Sequence, residues 1–245
     1  MEYYKNKFGV EYVYCNHSRT SYLEHNHVSV YTITLLLSGE LMLVKQNNQY
    51  KLEPNMLFII KPYESHSLLL KSNYYDMMSV CINKNIIDNG YINELKAVII
   101  KDMDYFISKR ILDSEQVLLI LDSLDKVNLI KKEVYRQVNI NLLLGLIEGN
   151  PENTLNIDQM SEKTNISKYH LIREFKKEVG LTPHKFQVQN RIRKSQHLIN
   201  NKYSIIEAGL IAGFYDQSHF IRYFKNIVGI TPTEYRKSYV NIPKK

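Results

Sequence analysis

Residues 213–225 read GFYDQSHFIRYFK, and a related stretch, NISKYHLIREFK, occupies residues 165–176. In both copies a glycine and a Thr-Pro pair follow a few residues later, so the same pattern occurs twice about 48 residues apart. The second copy has one extra residue in its middle. A repeat of this length usually corresponds to one supersecondary unit. The sequence therefore predicts two copies of one small unit near the C-terminus.

Each copy has the residues of two helices separated by a tight turn. The small residues Ser161 and Gly209 sit in the first helix of each copy, where they allow another helix to approach closely. Four residues later stand Asn165 and Gly213, the residue types that best tolerate the left-handed backbone of a sharp turn. The pattern predicts a helix, a turn and a second helix in both copies.

The second helix of each copy has a cap, an apolar stripe and a basic face. Ser167 and Asp216 are suited to cap it by accepting hydrogen bonds from its free amides. The stripes are Leu171, Phe175 and Val179 in one copy, and Phe220, Phe224 and Val228 in the other. The opposite faces carry His170, Arg173, Lys176 and Lys177, and His219, Arg222 and Lys225. A basic outer face on the second helix is typical of DNA-binding helix-turn-helix units.

The charge distribution favours DNA binding over a plain helical bundle with a solvated basic face. Residues 1–149 hold 16 Lys/Arg and 17 Asp/Glu, a net charge of −1, whereas residues 150–245 hold 16 and 8, a net charge of +8. The excess positive charge lies in the half with the repeats, as expected where phosphates are neutralised.

The second repeat resembles the signature of the AraC/XylS family of bacterial transcription regulators. The resemblance rests on residues 213–225, on Gly229 to Pro232 and on Tyr235-Arg236, and it extends over about residues 145–240. Ser161 and Gly209 replace the family's usual alanine, and Asn165 its usual glycine. The resemblance implies a domain of two helix-turn-helix units joined by a linker helix.

Outward residues near the start of each second helix are expected to meet the bases. With the family resemblance, the predicted base-reading residues are Tyr169, Ile172, Arg173, Gln217, Ser218 and Arg222. Arginine pairs with guanine through two hydrogen bonds, so Arg173 and Arg222 are expected to specify sequence. The predicted phosphate contacts are Lys168, Lys176, Lys177 and Lys225.

A linker helix is predicted between the two units. Thr182-Pro183 provides an N-cap followed by proline at the first helical position. A helix running to about Asn200 has a length of ~27 Å. It is suited to hold two recognition helices near one DNA turn, ~34 Å, apart.

The N-terminal part has a β-rich pattern. Short β-prone runs at 28–44, 50–52, 56–60 and 67–70 are separated by turn residues, which predicts an antiparallel barrel or sandwich. His25-x-His27 and a later His66 resemble the cupin-like effector domain of many family members. The carboxylate that completes a metal site in cupins is absent from 30–32, so no metal and no cofactor is expected. The predicted effector pocket comprises Tyr22, His25, His27, Tyr31 and His66; a filled structural barrel is the alternative.

Helices are predicted after about residue 91. One stripe runs through Val117, Ile120, Leu121 and Leu124, and another through Val134, Val138, Leu142 and Leu146. Gly149-Asn150-Pro151 predicts a boundary between an effector domain at 1–149 and a DNA-binding domain at 150–245. The stripes either pack within the chain or mediate the homodimer that the resemblance implies.

The sequence predicts an α+β protein of two domains: a cupin-like antiparallel β-barrel with following helices, and an all-α DNA-binding domain. The expected function is sequence-specific transcription regulation, with promoter DNA, a small-molecule effector and, for an activator, RNA polymerase as partners. No catalytic residue is predicted. Without a signal-like N-terminus or a membrane-length apolar run, a cytoplasmic location is expected. The alternatives are a metal-dependent cupin enzyme fused to a DNA-binding domain, and a non-specific DNA-architectural protein.

Overall fold

A computed structural model describes residues 1–6, 9–45, 48–88, 91–129 and 138–242. The chain forms two compact units, one of residues 1–133 with 238–245 and the other of residues 134–237. The predicted two-part α+β organisation is confirmed.

The first unit contains two β-sheets. Its strands are β1 (Glu2–Lys5), β2 (Glu11–Ser18), β3 (Tyr22–His25), β4 (Val30–Ser38), β5 (Leu41–Lys45), β6 (Asn48–Leu52), β7 (Leu57–Ile60), β8 (His66–Leu70), β9 (Tyr75–Asn83) and β10 (Tyr239–Asn241). One sheet has the order β10-β1-β2-β9-β4-β7, and the other has the order β3-β8-β5-β6. Among the described residues, the strand pairings are antiparallel except that of β1 with β10, which is parallel.

Strand β4 is buried on both faces over residues 30–36, which are apolar except for Thr32, Thr34 and the Tyr31 hydroxyl. One face packs against the helices α1 (Lys84–Asp88), α2 (Ile92–Ser108) and α3 (Ser114–Leu129), and it carries Tyr31, Ile33 and Leu35. The other face carries Leu36, which joins a core built from strands of both sheets. The remaining members of that core are Cys15, Leu41, Leu43, Leu52, Phe58, Ile60, Leu68, Tyr75 and Met77.

The second unit is helical. Its helices are α4 (Val138–Gly149), α5 (Ile157–Thr164), α6 (Lys168–Val179), α7 (Pro183–Asn200), α8 (Ile205–Ile211), α9 (Gln217–Val228) and α10 (Pro232–Ser238). The long helix α7 contacts α4, α6, α8 and α9, so it connects both repeats. Thr182 caps α7 with its side chain and Pro183 occupies its first turn, as predicted.

The observed boundary differs from the expected break at 149/150. Helix α4 packs on α6 and α7 and so belongs to the second unit. Its buried face comprises Ile140, Leu143, Leu144 and Ile147. Leu142 and Leu146 of the predicted stripe are exposed, so of the two expected roles packing within the chain does not apply to them. Val134, its first member, lies outside the described residues.

The C-terminal end also departs from an all-α domain, because Tyr239–Asn241 forms a strand in the first unit's sheet. Among the described residues, no helix combines the length and the apolar character needed to cross a membrane.

Candidate nucleic-acid interface and histidine cluster

The turn of the first repeat is built by local hydrogen bonds. Asn165 ends α5 in the left-handed conformation with φ 56°, as its residue type predicted. The Ser161 hydroxyl donates to the Ile166 carbonyl at 2.6 Å and ties the helix to the turn. Ser167 then accepts a hydrogen bond from the amide of His170 and caps α6. The small residue in α5 thus stabilises the turn through its hydroxyl.

The turn of the second repeat depends on two glycines. Gly213 has φ +94°, and a Cβ atom there would lie 2.6 Å from the Glu152 Cα and 2.8 Å from its carbonyl oxygen. Gly209 faces the Phe220 ring, where a Cβ atom would lie 2.9 Å from Cδ1. Asp216 caps α9 by accepting from the Ser218 amide at 2.8 Å. Both glycines therefore permit approaches that any side chain would obstruct.

The predicted apolar stripes of α6 and α9 are buried, and their opposite faces are exposed. Tyr169 is 83% exposed, and Arg173, Gln217, Ser218 and Arg222 are also exposed. Ile172 is half-buried. Five of the six predicted base-reading residues are thus exposed, and all six lie in the N-terminal halves of the two helices.

The two arginines have different immediate surroundings. The Arg173 guanidinium donates to Nδ1 of His170 at 3.0 Å, and its Nε lies 3.8 Å from the Glu174 carboxylate. The Arg222 guanidinium lies 5.8 Å from the centroid of the Tyr223 ring. His170, on the predicted basic face of α6, thus lies in hydrogen-bond contact with Arg173.

The predicted phosphate contacts lie on the same exposed surfaces. Lys168 pairs with Asp158 at 2.9 Å, and Lys177 lies 3.8 Å from Glu174. Lys176 and Lys225 are exposed in the last turns of α6 and α9. Exposed ion pairs of this kind are weak, so these lysines are available to exchange partners for phosphates.

A polar network that the sequence did not predict joins residues 151–153, between α4 and α5, to α7. Nε of Arg191 donates to the Pro151 carbonyl at 2.7 Å, and Nε2 of the buried Gln187 donates to the Asn153 carbonyl at 2.6 Å. Lys194 pairs with Glu152 at 2.8 Å. Gly213 packs against Glu152, which lies in this segment. The network therefore also positions the turn of the second repeat.

Comparisons with known proteins agree with this geometry. A family model described as a helix-turn-helix domain matches residues 160–238. The chain is 27% identical over 218 residues to the uncharacterized HTH-type transcriptional regulator YbfI of Bacillus subtilis, covering 77% of this chain and 78% of YbfI. It is 32% identical over 82 residues to the HTH-type transcriptional activator RhaS of Escherichia coli, covering 33% of this chain and 30% of RhaS.

The chain is therefore similar to helix-turn-helix transcription regulators, and its residues 160–238 form a helix-turn-helix domain. The prediction of a regulator rather than an enzyme is thereby confirmed. The crystal structure of ToxT from Vibrio cholerae has the same overall fold, with a TM-score of 0.61 and 15% identity over 94% of this chain and 96% of ToxT.

The regulator's first unit brings three histidines together. His25 ends β3 and pairs across the sheet with His66, the first residue of β8. His27 lies two residues beyond His25, and its ring centroid is 4.9 Å from that of His66. The potential ligand atoms of the three histidines all lie within 4.8 Å of one another. The structure thus brings together the three histidines of the predicted pocket.

Each of these rings is oriented by a hydrogen bond at Nδ1. The partners are the Leu23 carbonyl for His25 at 2.7 Å, the Glu64 carbonyl for His66 at 3.0 Å, and the Thr32 hydroxyl for His27 at 2.6 Å. Burial, followed by the charge of His25, lowers the pKa of His66 to about 3, and burial lowers the pKa of His25. His25 and His66 are therefore neutral at physiological pH.

The two predicted pocket tyrosines pack in different hydrophobic cores of the first unit. The Tyr22 ring centroid is 5.9 Å from that of His25, and Tyr22 packs against the core between the sheets. Tyr31 belongs to the opposite face of β4 and packs in the helical core, so its assignment to the histidine pocket is wrong. Side chains of adjacent strand residues point to opposite faces, and the histidine partner Thr32 occupies the inner one.

Proposed function

We propose that the regulator binds two adjacent major-groove segments of promoter DNA with α6 and α9. The observation that supports this most strongly is the equivalence of the two helices. Each begins at a capped turn, buries one apolar stripe and exposes an arginine at the same position of the repeat. One chain thus carries two copies of the same reading surface, connected by α7.

In this proposal the exposed residues divide between specificity and positioning. Arg173 and Arg222 pair with guanines, while Tyr169, Ile172, Gln217 and Ser218 contact neighbouring bases. Lys168, Lys176, Lys177 and Lys225 contact phosphates and set the register without specifying sequence. The net charge of +8 over residues 150–245 supports a large salt-dependent contribution to affinity.

Footprinting tests the proposal directly. Full-length protein is titrated onto DNA from upstream of its own coding region, with random DNA as competitor. The proposal predicts protection of two major-groove segments about 10 base pairs apart on one face of the duplex. Uniform protection that random DNA abolishes would instead support a non-specific architectural protein.

We further propose that the first unit binds a small-molecule effector near His25, His27, His66 and Tyr22. Thr34 lies on the same face of β4 as Thr32, the partner of His27, and shares a hydrogen bond of 2.9 Å with Ser79, so this face of the strand carries buried polar groups. A structure of ToxT, which has the same fold, is described with an unsaturated fatty acid bound. His27→Ala is expected to leave DNA binding intact while abolishing the transcriptional response to an effector, and an unchanged dose dependence would contradict this role.

The regulator is also proposed to be a cytoplasmic homodimer that activates transcription through RNA polymerase. The name of RhaS as an activator supports the sign of regulation. Exposed leucines on α3, Leu118 and Leu119, offer apolar surface for self-association. Sedimentation measures the oligomeric state, and transcription with purified polymerase measures activation; a monomer at the concentration that protects DNA would exclude the dimer.

A further inference from the structure

We propose that His25, His27 and His66 bind one divalent transition-metal ion in the first unit and leave one coordination position open. This inference concerns metal binding, and it stands independently of how the regulator reads DNA. It also revises the expectation, drawn from the missing carboxylate, that this site holds no metal.

The spacing of the ligand atoms suits a single ion. Three points within 4.8 Å of one another have a common centre no more than about 2.8 Å from each. A zinc–imidazole bond is about 2.0–2.1 Å long, so each ring has to approach the centre by less than about 1 Å. Small side-chain rotations supply such a movement without displacing the strands.

The hydrogen bonds at Nδ1 match those of metal-binding histidines. A backbone carbonyl only accepts, so Nδ1 of His25 and Nδ1 of His66 carry the proton. In a neutral ring the other nitrogen, Nε2, then presents its lone pair. Histidines that bind metals almost always donate their second N–H to a carbonyl, carboxylate or water, which fixes the ring orientation.

The surroundings select the class of metal. Within the described part of the chain, the carboxylates nearest in sequence to His66 and His25 are engaged elsewhere: Glu64 pairs with Lys45 at 3.0 Å, and Glu24 accepts from the Ser65 hydroxyl at 3.1 Å. A site of three imidazoles suits Zn²⁺, Co²⁺, Ni²⁺ or Cu²⁺ and disfavours Mg²⁺ and Ca²⁺, which require oxygen ligands. Because no ligand neutralises the ion, the open position favours hydroxide or an anionic oxygen of a small molecule.

The alternative is a cluster of neutral histidines that only pack together. Packing alone accounts for burial and for the ring contacts. It gives no role to three separate Nδ1 hydrogen bonds on rings whose potential ligand atoms lie within 4.8 Å of one another. Metal titration distinguishes the two possibilities.

The experiment uses the full-length protein, first stripped with a chelator and dialysed. Zn²⁺ binding is measured by calorimetry and by metal analysis after removal of free ion, and Co²⁺ is added separately to record its visible absorption. The expected result is one ion per chain and a Co²⁺ spectrum of low coordination number. His25→Ala and His27→Ala are each expected to weaken binding at least ~100-fold, because direct ligands matter more than outer-shell partners.

Two further variants control for folding and for position. His17→Ala removes an exposed histidine of β2 that stacks on Tyr74, outside the cluster, and is expected to bind metal as the wild type does. Thr32→Val keeps the volume of a buried side chain but removes the hydroxyl partner of His27, and a ~10–100-fold loss of affinity is expected. Circular dichroism checks that each variant is folded.

Two results would overturn the inference. One is wild-type protein that takes up less than half an equivalent of Zn²⁺, Co²⁺ and Ni²⁺. The other is stoichiometric binding that survives in folded His25→Ala and His27→Ala. Footprinting of the same samples reports separately on DNA binding, so failure of the metal site is distinguishable from failure of the proposed function.

Discussion

Replacing Gly213 by alanine tests how the turn of the second repeat is built. The new Cβ atom would meet the Glu152 backbone at 2.6 and 2.8 Å and Nε of Arg191 at 3.1 Å. Arg191 is held by the Pro151 carbonyl, so neither neighbour moves easily. The left-handed backbone costs an alanine about 1 kcal/mol, and overpacking adds about 1–3 kcal/mol. We expect Gly213→Ala to lower the free energy of unfolding by about 2–4 kcal/mol.

The first repeat provides the matched control. Asn165 occupies the equivalent turn position with φ 56° and is exposed. Asn165→Ala therefore creates no clash and only replaces a residue type that tolerates the left-handed conformation by one that does not. Its expected cost is about 1 kcal/mol. In Gly213→Asn the new residue tolerates the left-handed conformation, but its Cβ atom still clashes with the Glu152 backbone. We expect this variant to lower the free energy of unfolding by about 1–3 kcal/mol.

Urea unfolding of the full-length variants, followed by helical circular dichroism, measures these differences. Footprinting at urea concentrations below the unfolding transition shows whether the folded protein still protects DNA. If Gly213→Ala costs no more than Asn165→Ala, the contact with Glu152 does not constrain the turn, and the reasoning from the Cβ positions is wrong.

Two further predictions concern charge and burial. Lys225→Ala is expected to weaken binding to all DNA sequences alike and to reduce the slope of log K against log salt by about 0.9. The control variant Lys71→Ala, which removes an exposed lysine of the first unit, is expected to leave this slope unchanged. A loss of affinity confined to one DNA sequence would contradict a phosphate contact by Lys225. Burial raises the pKa of the Cys15 thiol to about 12, so roughly one molecule in 10⁴ carries the thiolate at pH 8. In a Cys81→Ser variant, Cys15 should therefore react with a thiol reagent only after unfolding, and rapid labelling of the folded protein would refute this.

The C-terminal unit was predictable because its signals are local. A residue suited to the left-handed turn, a capping side chain and an apolar stripe lie within a few positions of one another in each repeat. Asn165, Ser167, Gly213 and Asp216 adopt the predicted conformations or bonds. The hydrogen bonds of Gln187 and Arg191 were not predicted, because nothing in the sequence shows which distant backbone carbonyls accept from these side chains.

The N-terminal unit was less predictable because its pattern depends on tertiary contacts. The predicted runs correspond to β4 through β8, but β1, β2, β3 and β9 were not identified. The face of β4 that Tyr31 occupies depends on the helices packed behind it. The buried face of α4 was not identified for the same reason, since α4 is strongly apolar and only its packing on α6 and α7 decides which residues are buried.

The most direct test of the account is the base preference of two arginine variants. Sites are selected from random DNA with full-length wild type, Arg173→Ala and Arg222→Ala, and the preference at each base pair is compared. The account predicts that each variant loses about 1–3 kcal/mol of discrimination at its own base pairs, and that the two sets lie about one helical turn apart. Wild-type preference at every position in both variants would contradict the claim that α6 and α9 read the sequence.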